Sequence, residues 1–354
     1  MITTLVSFIF VLGILVFVHE FGHFVAAKWV DIRVEKFSLG FPPKMVGKKI
    51  GDTEYVISWI PLGGYVKMAG ETPEEEKTAW EPYEFMSKSV LQKTFVVLAG
   101  PAMNFILAVF VFWCIFLFAG KLQSHFDTTE IGFVVEGGPA QIAGIQPGDV
   151  ILSINEKEVN DFWEMADIIH QRVEEPIQVE WKRGEEKLKA TIITGKEEVI
   201  NQRGEKQEIG MIGIGATYTV LRFNVFESFQ EGVGEMVAIL VGSAKALFEV
   251  VTGAASLKVL GGPLLIAQTA GQAARMGVVS LFYLIGALSV MLAFVNALPI
   301  PVLDGGHVLF MVIEKIQRKP LSLKQRAMLQ QIGFAFLLCL IILVTYNDLA
   351  RLIR

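Results

Sequence analysis

Long apolar segments alternate with polar segments along the chain, and the apolar ones predict four membrane-spanning helices. A helix needs roughly 20 apolar residues to cross the hydrocarbon core of a bilayer. The predicted spans are residues 2–29, 95–120, 278–298 and 332–346, the last being short but helical on either side. The pattern therefore predicts a polytopic α-helical membrane protein with four transmembrane helices.

The polar segment after the first span contains a predicted β-hairpin. Residues 52–60 have the β-branched and aromatic content of a strand, Pro61-Leu62-Gly63-Gly64 is typical of a turn, and residues 65–68 predict a return strand. We expect this hairpin to be associated with the membrane beside the first helix. Its free edge at Gly63, Gly64 and Tyr65 is then suited to pair with an extended substrate backbone. A small surface hairpin is the alternative.

Residues 122–218 differ from the rest because they are charged, rich in predicted strands and without a span. The order is strand, short helix, glycine turn and strand, and it contains the run Ala143-Gly144-Ile145-x-Pro147-Gly148-Asp149. This run resembles PDZ domains, and the resemblance implies an inserted α+β module, called here the PDZ-like module.

The last strand of the PDZ-like module resembles the carboxylate-binding loop and groove strand of protease-associated PDZ domains. Those domains place this element first, so its position at the end implies a circular permutation. A groove of this kind binds extended chain ends by strand addition; a folded spacer that restricts access by its bulk is the alternative. The predicted groove residues are Ile209, Gly210, Met211, Ile212, Gly213 and Ile214.

These patterns divide the chain into four parts. Residues 1–121 form an N-terminal membrane half, 122–218 the PDZ-like module, 219–277 amphipathic helices at the interface or on the bundle, and 278–354 a C-terminal membrane half. A shorter acidic segment, residues 71–84, predicts a solvated loop.

Composition supports a membrane protein with a modest soluble part. Of the 354 residues, 53% are hydrophobic and only 19% are charged. The formal net charge of −5 argues against a nucleic-acid partner. Both cysteines, Cys114 and Cys339, lie in apolar runs and are interpreted as buried hydrophobic residues.

Candidate chemistry begins at the end of the first span. His19 and His23 are four residues apart and share one helix face, so both imidazoles can reach one metal ion, and Glu20 projects nearby as a candidate base. Ionisable groups inside a span are costly and indicate function. After the third span, Pro299 and Pro301 interrupt the helix, and Asp304 or His307 supplies a third ligand.

Basic residues predict the orientation in the membrane. The loop between the last two spans is basic and has no acid after Glu314, so that side is expected to be cytoplasmic. Both termini and the PDZ-like module are then extracytoplasmic, and His19 lies toward the cytoplasmic leaflet. The basic residues of this loop are Lys315, Arg318, Lys319, Lys324 and Arg326.

Together these motifs resemble the site-2 proteases, the intramembrane zinc metalloproteases, and within them the bacterial regulator of sigma-E protease group. The resemblance extends over nearly the whole chain, with one departure: some members carry two PDZ domains, and this chain has room for one. The matching motifs are His19-Glu20-x-x-His23, Gly100-Pro101-x-x-Asn104, Gly261-Gly262-Pro263-Leu264 and Asn296-x-x-Pro299-x-Pro301-x-Leu303-Asp304-Gly305-Gly306.

The resemblance implies one zinc ion held by His19, His23 and Asp304, with Glu20 as the catalytic base. It also implies that Asn296 contacts the substrate backbone, and Asn104 joins the candidate substrate-binding residues. The implied substrates are single-pass proteins of the bacterial inner membrane that have already been trimmed outside it. This enzyme would make the second cut of regulated intramembrane proteolysis, for example of a membrane-bound anti-sigma factor or of remnant signal peptides.

Two other functions are compatible with parts of the pattern. One is a PDZ-based membrane scaffold with a structural metal, against which Glu20 beside a three-ligand site argues. The other is a metal transporter, but transporters usually contain an internal repeat and several ion sites, and here there is one site and no repeat.

Overall fold

The computed structural model describes residues 2–71, 79–200, 206–319 and 321–353. Four of its helices are long and apolar enough to cross a membrane, namely Ile2–Trp29, Val90–Phe118, Val278–Ala297 and Lys324–Arg351, which confirms the four predicted spans. The helices are α1 (Ile2–Trp29), α2 (Val90–Phe118), α3 (Pro139–Ile142), α4 (Phe162–His170), α5 (Val225–Val251), α6 (Pro263–Met276), α7 (Val278–Ala297), α8 (Asp304–Gln317) and α9 (Leu323–Ile353).

Strands occur in two places, beside α1 and between α2 and α5. They are β1 (Val34–Ile50), β2 (Thr53–Met68), β3 (Lys121–Ser124), β4 (Ile131–Val134), β5 (Val150–Ile154), β6 (Lys157–Glu158), β7 (Pro176–Arg183), β8 (Glu186–Ile193), β9 (Gly195–Ile200), β10 (Lys206–Met211), β11 (Ile214–Ala216) and β12 (Tyr218–Leu221).

The chain divides into two compact units. The first, Met1–Ala119 with Asn224–Glu249 and Leu260–Arg354, contains the four spans, and the second, Gly120–Phe223 with Val250–Val259, contains the PDZ-like module.

In the first unit, α1 packs against α2, α6 and the β1–β2 sheet, and its residues His19 and His23 are buried. The contact with α2 is very close, because a Cβ at Gly22 would lie 2.3 Å from the carbonyl oxygen of Ala99. Small residues permit such an approach of two helices. The crossing at Gly22 lies between the two histidines of α1 and thus fixes them against α2.

The β1–β2 sheet corrects the predicted hairpin. Residues 65–68 pair with the first part of β1, as in Phe37 with Val66, and not with the strand at 53–58. The first part of β1 also pairs with residues 54–57, so it lies between the two arms of β2. The sequence prediction missed β1 because lysines, glycines and two consecutive prolines, Pro42 and Pro43, are unusual in strands.

Between α7 and α8 the chain is not helical. α7 ends at Ala297, Leu298 has an extended backbone, and α8 begins at Asp304. The two prolines of this segment lack the backbone N–H that a continuing helix requires. The predicted interruption therefore occurs, and it turns the chain back toward α1.

The region predicted as amphipathic helices contains α5 and α6. Gly271 of α6 lies against Thr4 of α1, where a Cβ would be 2.4 Å from Oγ1 of the threonine. The N-terminus of α6 is capped by the buried Asp348 carboxylate of α9, which accepts hydrogen bonds from the backbone N–H groups of Gly262, Leu264 and Leu265 at 3.0–3.1 Å. The cap thereby ties α9 to α6, and α6 packs on α1.

The second unit has its own hydrophobic core, built from alternate strand residues and one face of α4. β5 and β7 pair at the centre of a four-stranded sheet, β6-β5-β7-β8, and β11 pairs with β4. Arg183 donates two hydrogen bonds of 2.8 Å to the buried Asp149 carboxylate. The predicted elements of the PDZ-like module are present, and the pair β3–β12 is an addition to them.

Candidate metal centre

The two histidines of α1 face α2 and α8, and each is oriented by a second contact. Nδ1 of His23 lies 2.9 Å from the carbonyl oxygen of Val96, in the turn of α2 that precedes Pro101. Because a carbonyl only accepts, Nδ1 carries the proton, and Nε2 retains the lone pair that a metal requires.

His19 has a comparable partner in Asn104. Nδ2 of the buried Asn104 amide lies 3.3 Å from Nδ1 of His19, whereas Oδ1 is buried without a hydrogen-bond partner among the described residues. The two amide atoms are interchangeable by a flip of the side chain. If the amide is rotated by half a turn, Oδ1 of Asn104 accepts a hydrogen bond from the protonated Nδ1 of His19. Nε2 of His19 then keeps its lone pair for a metal.

Asp304 reaches the histidines because the two glycines after it allow α8 to begin against the end of α7. A Cβ at Gly305 would lie 2.3 Å from the carbonyl oxygens of Ala297 and Leu298, and one at Gly306 would lie 2.1 Å from that of Ile300. No larger residue fits at either position without moving the backbone. The pair Gly305-Gly306 thus brings Asp304 back toward α1.

The three side chains converge on one point. Oδ2 of Asp304 lies 3.1 Å from Nε2 of His19, Oδ1 lies 3.5 Å from Nε2 of His23, and the two Nε2 atoms are 3.3 Å apart. One ligand atom from each lies within 4.8 Å of the others. Two imidazoles and a carboxylate are a zinc donor set. Among the described residues, the buried Oδ2 of Asp304 has no hydrogen-bond partner that would replace a cation. The residues present therefore fit a zinc ion, and His307 lies outside this group.

Gly100 of α2 lies directly against this group. A Cβ there would lie 2.3 Å from Nε2 of His23 and 2.9 Å from Cε1 of His19. The sequence offers Gly100 only as part of the motif Gly100-Pro101-x-x-Asn104. The position leaves no space for even a methyl group, so the glycine is part of the wall that shapes the metal centre.

Glu20 lines a cavity of about 500 Å³ together with the histidines and Asp304. Gly64 allows the β1–β2 sheet to approach this carboxylate, since a Cβ there would lie 3.1 Å from Cγ of Glu20. Four predicted substrate-binding residues also line the cavity: Gly63, Gly64, Tyr65 and Asn296. Asn104, the fifth, has no exposed surface.

One edge of the β1–β2 sheet borders the cavity. Residues 64–68 pair with β1 on one side, and within the described part of the chain no other strand pairs with them. Tyr65, Val66 and Met68 of this segment line the cavity. An extended chain in the cavity therefore has a strand edge beside it, next to Glu20.

Glu71 was missed because sequence analysis placed it in a solvated loop, of which residues 72–78 lie outside the described residues. Its side chain lines the cavity beside Glu20 and the three ligands instead. Burial raises the pKa of Glu71 to about 7, although a backbone N–H of Met68 opposes the shift. No local signal distinguishes Glu71 from the acids after it.

Of the predicted groove residues of the PDZ-like module, Gly210 lies at the C-terminal end of α4, and Ile212 accepts a hydrogen bond from the Ala140 N–H of α3 at 2.8 Å. Gly210 packs closely against the end of α4, since a Cβ there would lie 2.4 Å from the carbonyl oxygen of Ile169. Gly213 has a positive φ of 77° and accepts a hydrogen bond from the Val135 N–H at 2.8 Å. These glycines lead the chain from β10 into β11, which pairs with β4.

Comparison with known proteins gives matches over nearly the whole chain. The profile of Peptidase family M50 matches residues 7–340. Atu1380 of Agrobacterium fabrum is 34% identical over 366 residues, covering 99% of this chain and 96% of its own length. Zinc metalloprotease RasP of Oceanobacillus iheyensis is 28% identical over 428 residues, with 99% of each chain covered.

A solved structure also aligns with part of the chain. The PDZ domain of the SdrC-like protein from Listeria innocua aligns over 25% of this chain and 93% of its own length, with 27% identity and a TM-score of 0.20.

Proposed function

This chain belongs to peptidase family M50, and from that premise we propose that it hydrolyses peptide bonds in or beside the transmembrane segments of membrane proteins. It is a zinc metalloprotease and a multi-pass membrane protein, so its substrates are proteins of the bilayer. The observation that carries the proposal is the convergence of His19, His23 and Asp304 beside Glu20 in a cavity between spans.

His19, His23 and Asp304 would hold one zinc ion. When bound, zinc supplies a Lewis acid that lowers the pKa of a coordinated water and polarises the scissile carbonyl. Val96 and Asn104 orient the two imidazoles from behind, as the outer partners of metal-binding histidines commonly do. For Asn104 we propose this orienting role in place of substrate contact, because its side chain is fully buried.

Glu20 would act as general base and then as general acid. Its carboxylate lies in the cavity with the three ligands, where it can accept a proton from the attacking water. As the peptide bond breaks, the same carboxyl group donates that proton to the leaving amine nitrogen. The cavity is screened from lipid by protein on several sides, which lets the polar groups of the site persist at membrane depth.

The substrate must be extended at the point of cleavage, because a helix encloses its own backbone hydrogen-bonding groups. The edge of β2 at residues 64–66 would hold it by strand addition, with Gly63, Gly64 and Tyr65 beside the scissile bond. Asn296 reaches the same cavity from α7 and supplies an amide for the substrate backbone.

The PDZ-like module and both termini would lie outside the bacterial inner membrane, with the metal centre toward the cytoplasmic leaflet. The basic loop between α8 and α9 supports this orientation. The module would admit single-pass proteins already trimmed outside the membrane, through its groove at residues 209–214, and the enzyme would make the second cut. Accessibility of a tag in the module from the outside tests this, and labelling only from the cytoplasm contradicts it.

The test of the chemistry is the pair Glu20→Gln and His23→Ala, purified in detergent and given a single-pass membrane substrate. We expect Glu20→Gln to retain zinc and lose cleavage, and His23→Ala to lose both. Removal of zinc by a chelator should stop the wild-type enzyme, and restored zinc should restart it. Cleavage by Glu20→Gln at the wild-type rate contradicts the role of Glu20 as the base. A zinc-loaded wild-type protein that cleaves no membrane substrate favours a scaffold with a structural metal.

A further inference from the structure

A second cavity, of about 370 Å³, lies between α1 and the β1–β2 sheet. We call it the α1–sheet cleft. On the helix side it extends from Ile9 to Phe17, and on the sheet side it includes Leu39, Ile57 and Gly63. Gly63 lines both this cleft and the catalytic cavity, so the two spaces meet at that residue.

The chemistry of the α1–sheet cleft differs from that of the catalytic cavity. Its lining contains no charged side chain, and its one hydroxyl, that of Ser58, is buried and lies 3.1 Å from the Ser38 hydroxyl. Phe17 and Ile57, by contrast, are 44% and 48% exposed. A space of this kind accepts apolar side chains and offers nothing to an unpaired backbone N–H or carbonyl group.

Gly13 deepens the cleft on the helix side. A Cβ at Gly13 would have no atom within 4 Å, so the space above it is open. A glycine inside a helix costs about 1 kcal/mol relative to alanine. At this position it removes the side chain that would otherwise fill the cleft.

We propose that the α1–sheet cleft binds the apolar, still helical part of the substrate's transmembrane segment while the scissile part is extended in the catalytic cavity. This inference rests on the proposed function. The cleft favours a helix because backbone groups in lipid must be satisfied internally, and the only polar side chain among the described lining residues is the already paired Ser58 hydroxyl. Unwinding then begins at Gly63, where the apolar lining gives way to the strand edge beside Glu20.

The geometry predicts which substrate residues bind there. Ile9 and Gly13 precede Glu20 by 11 and 7 positions on α1, which corresponds to about 10–16 Å along the helix axis. A helical substrate covers that distance with roughly 7–11 residues. The cleft should therefore select large apolar side chains about two to three turns from the scissile bond, on the side of the N-terminus of α1.

The first experiment fills the cleft. Gly13→Ala, Gly13→Leu and Gly13→Phe are compared with Val6→Phe, which adds bulk at an exposed α1 position outside the cleft. Each enzyme receives the transmembrane substrate and a short soluble peptide that contains the scissile sequence without its apolar part. The measured quantity is kcat/KM for the transmembrane substrate divided by kcat/KM for the soluble peptide. We expect this ratio to fall about tenfold or more in Gly13→Phe, to fall less in Gly13→Leu, and to stay unchanged in Val6→Phe. An unchanged ratio across the series overturns the proposal.

The second experiment does not depend on activity. Ile57→Cys is placed in Glu20→Gln, with Cys114 and Cys339 replaced by alanine, and offered substrates with a single cysteine. A disulfide should form at substrate positions 7–11 residues from the scissile bond, and Val6→Cys should give none. Disulfides only between two copies of the enzyme, or none at Ile57→Cys, overturn the inference. Wild-type cleavage of both substrates by Glu20→Gln would instead contradict the proposed function itself.

Discussion

Gly100 of α2 and His23 of α1 are in such close contact that a Cβ at position 100 would lie 2.3 Å from Nε2 of the imidazole. That nitrogen faces Asp304, 3.5 Å away. The backbone of α2 thus forms one wall of the metal centre. It lies so close to the imidazole of His23 that only glycine fits at position 100.

We expect Gly100→Ala to displace the imidazoles and lower zinc affinity by about 10- to 100-fold, the loss typical of a disturbed ligand shell. Zinc content by mass spectrometry and cleavage of a membrane substrate should fall together. The matched control is Gly242→Ala in α5, where nothing lies within 4 Å of the added methyl group. Full zinc content in Gly100→Ala would show that the helices separate without harm to the site.

A second prediction concerns the amide of Asn104 behind His19. If Oδ1 accepts a hydrogen bond from Nδ1 of His19, Asn104→Asp keeps the acceptor, and its zinc affinity should stay within a few-fold of wild type. Asn104→Leu removes it and should lower zinc affinity by about 10- to 100-fold. Equal losses in the two variants would mean that the amide donates to the imidazole, which is incompatible with a metal on Nε2. Zinc titration with a competing chelator measures both.

The cap on α6 gives a stability prediction. Asp348 is 3% exposed and accepts from three backbone N–H groups at the start of α6. Asp348→Ala should lower the free energy of unfolding by about 1–2 kcal/mol, the usual loss for an N-terminal cap, whereas Asp348→Asn keeps an acceptor oxygen and should lose less. Unfolding in detergent measures the difference, and identical behaviour of both variants and wild type would show that the cap contributes nothing.

The ion pair of the PDZ-like module predicts a pH dependence. Burial disfavours the Asp149 carboxylate, but hydrogen bonds from Arg183 and from the Gln146 backbone outweigh it and hold its pKa below the ordinary value of about 3.9. Because the pKa of Asp149 is lower in the folded state, the carboxylate stabilises the fold at any pH above its ordinary pKa. That stabilisation is lost as the pH falls through the lowered pKa.

Arg183→Met should therefore destabilise the module at neutral pH, since it leaves the buried Asp149 carboxylate without its charged partner. Its difference from wild type should disappear as the pH falls through the lowered pKa of Asp149. Hydrogen exchange of module peptides in the whole protein reports this, with Lys187→Met on exposed β8 as control. A difference that persists in acid would assign the effect to packing of the arginine stem.

The sequence predicts the spans, the two histidines and the interrupted α7 because each depends on local physics: apolar length, helical spacing and the missing N–H of proline. It identifies Asp304 only as one of two candidates, since the return of α8 to α1 depends on contacts of Gly305 and Gly306 with carbonyl oxygens of the preceding segment. The residues themselves favour Asp304 over His307, and the family resemblance supports that choice.

Other features depend on contacts that no local pattern reveals. β1 has an unfavourable composition for a strand and is held by its two neighbours in the sheet. Asp348 and Gly262 are 86 residues apart, so the cap on α6 has no short-range signature. Glu71 looks like its acidic neighbours, and only the position of β2 brings it into the cavity.

The most direct test of the central claim is mass spectrometry of the products from a single-pass membrane substrate incubated in water enriched in oxygen-18. The account predicts a cut inside or beside the apolar segment, with one heavy oxygen in the new C-terminal carboxylate. Wild-type enzyme should give this product, and Glu20→Gln with its zinc retained should not. A product of the same mass from Glu20→Gln, or cuts confined to soluble regions far from the membrane, would contradict it.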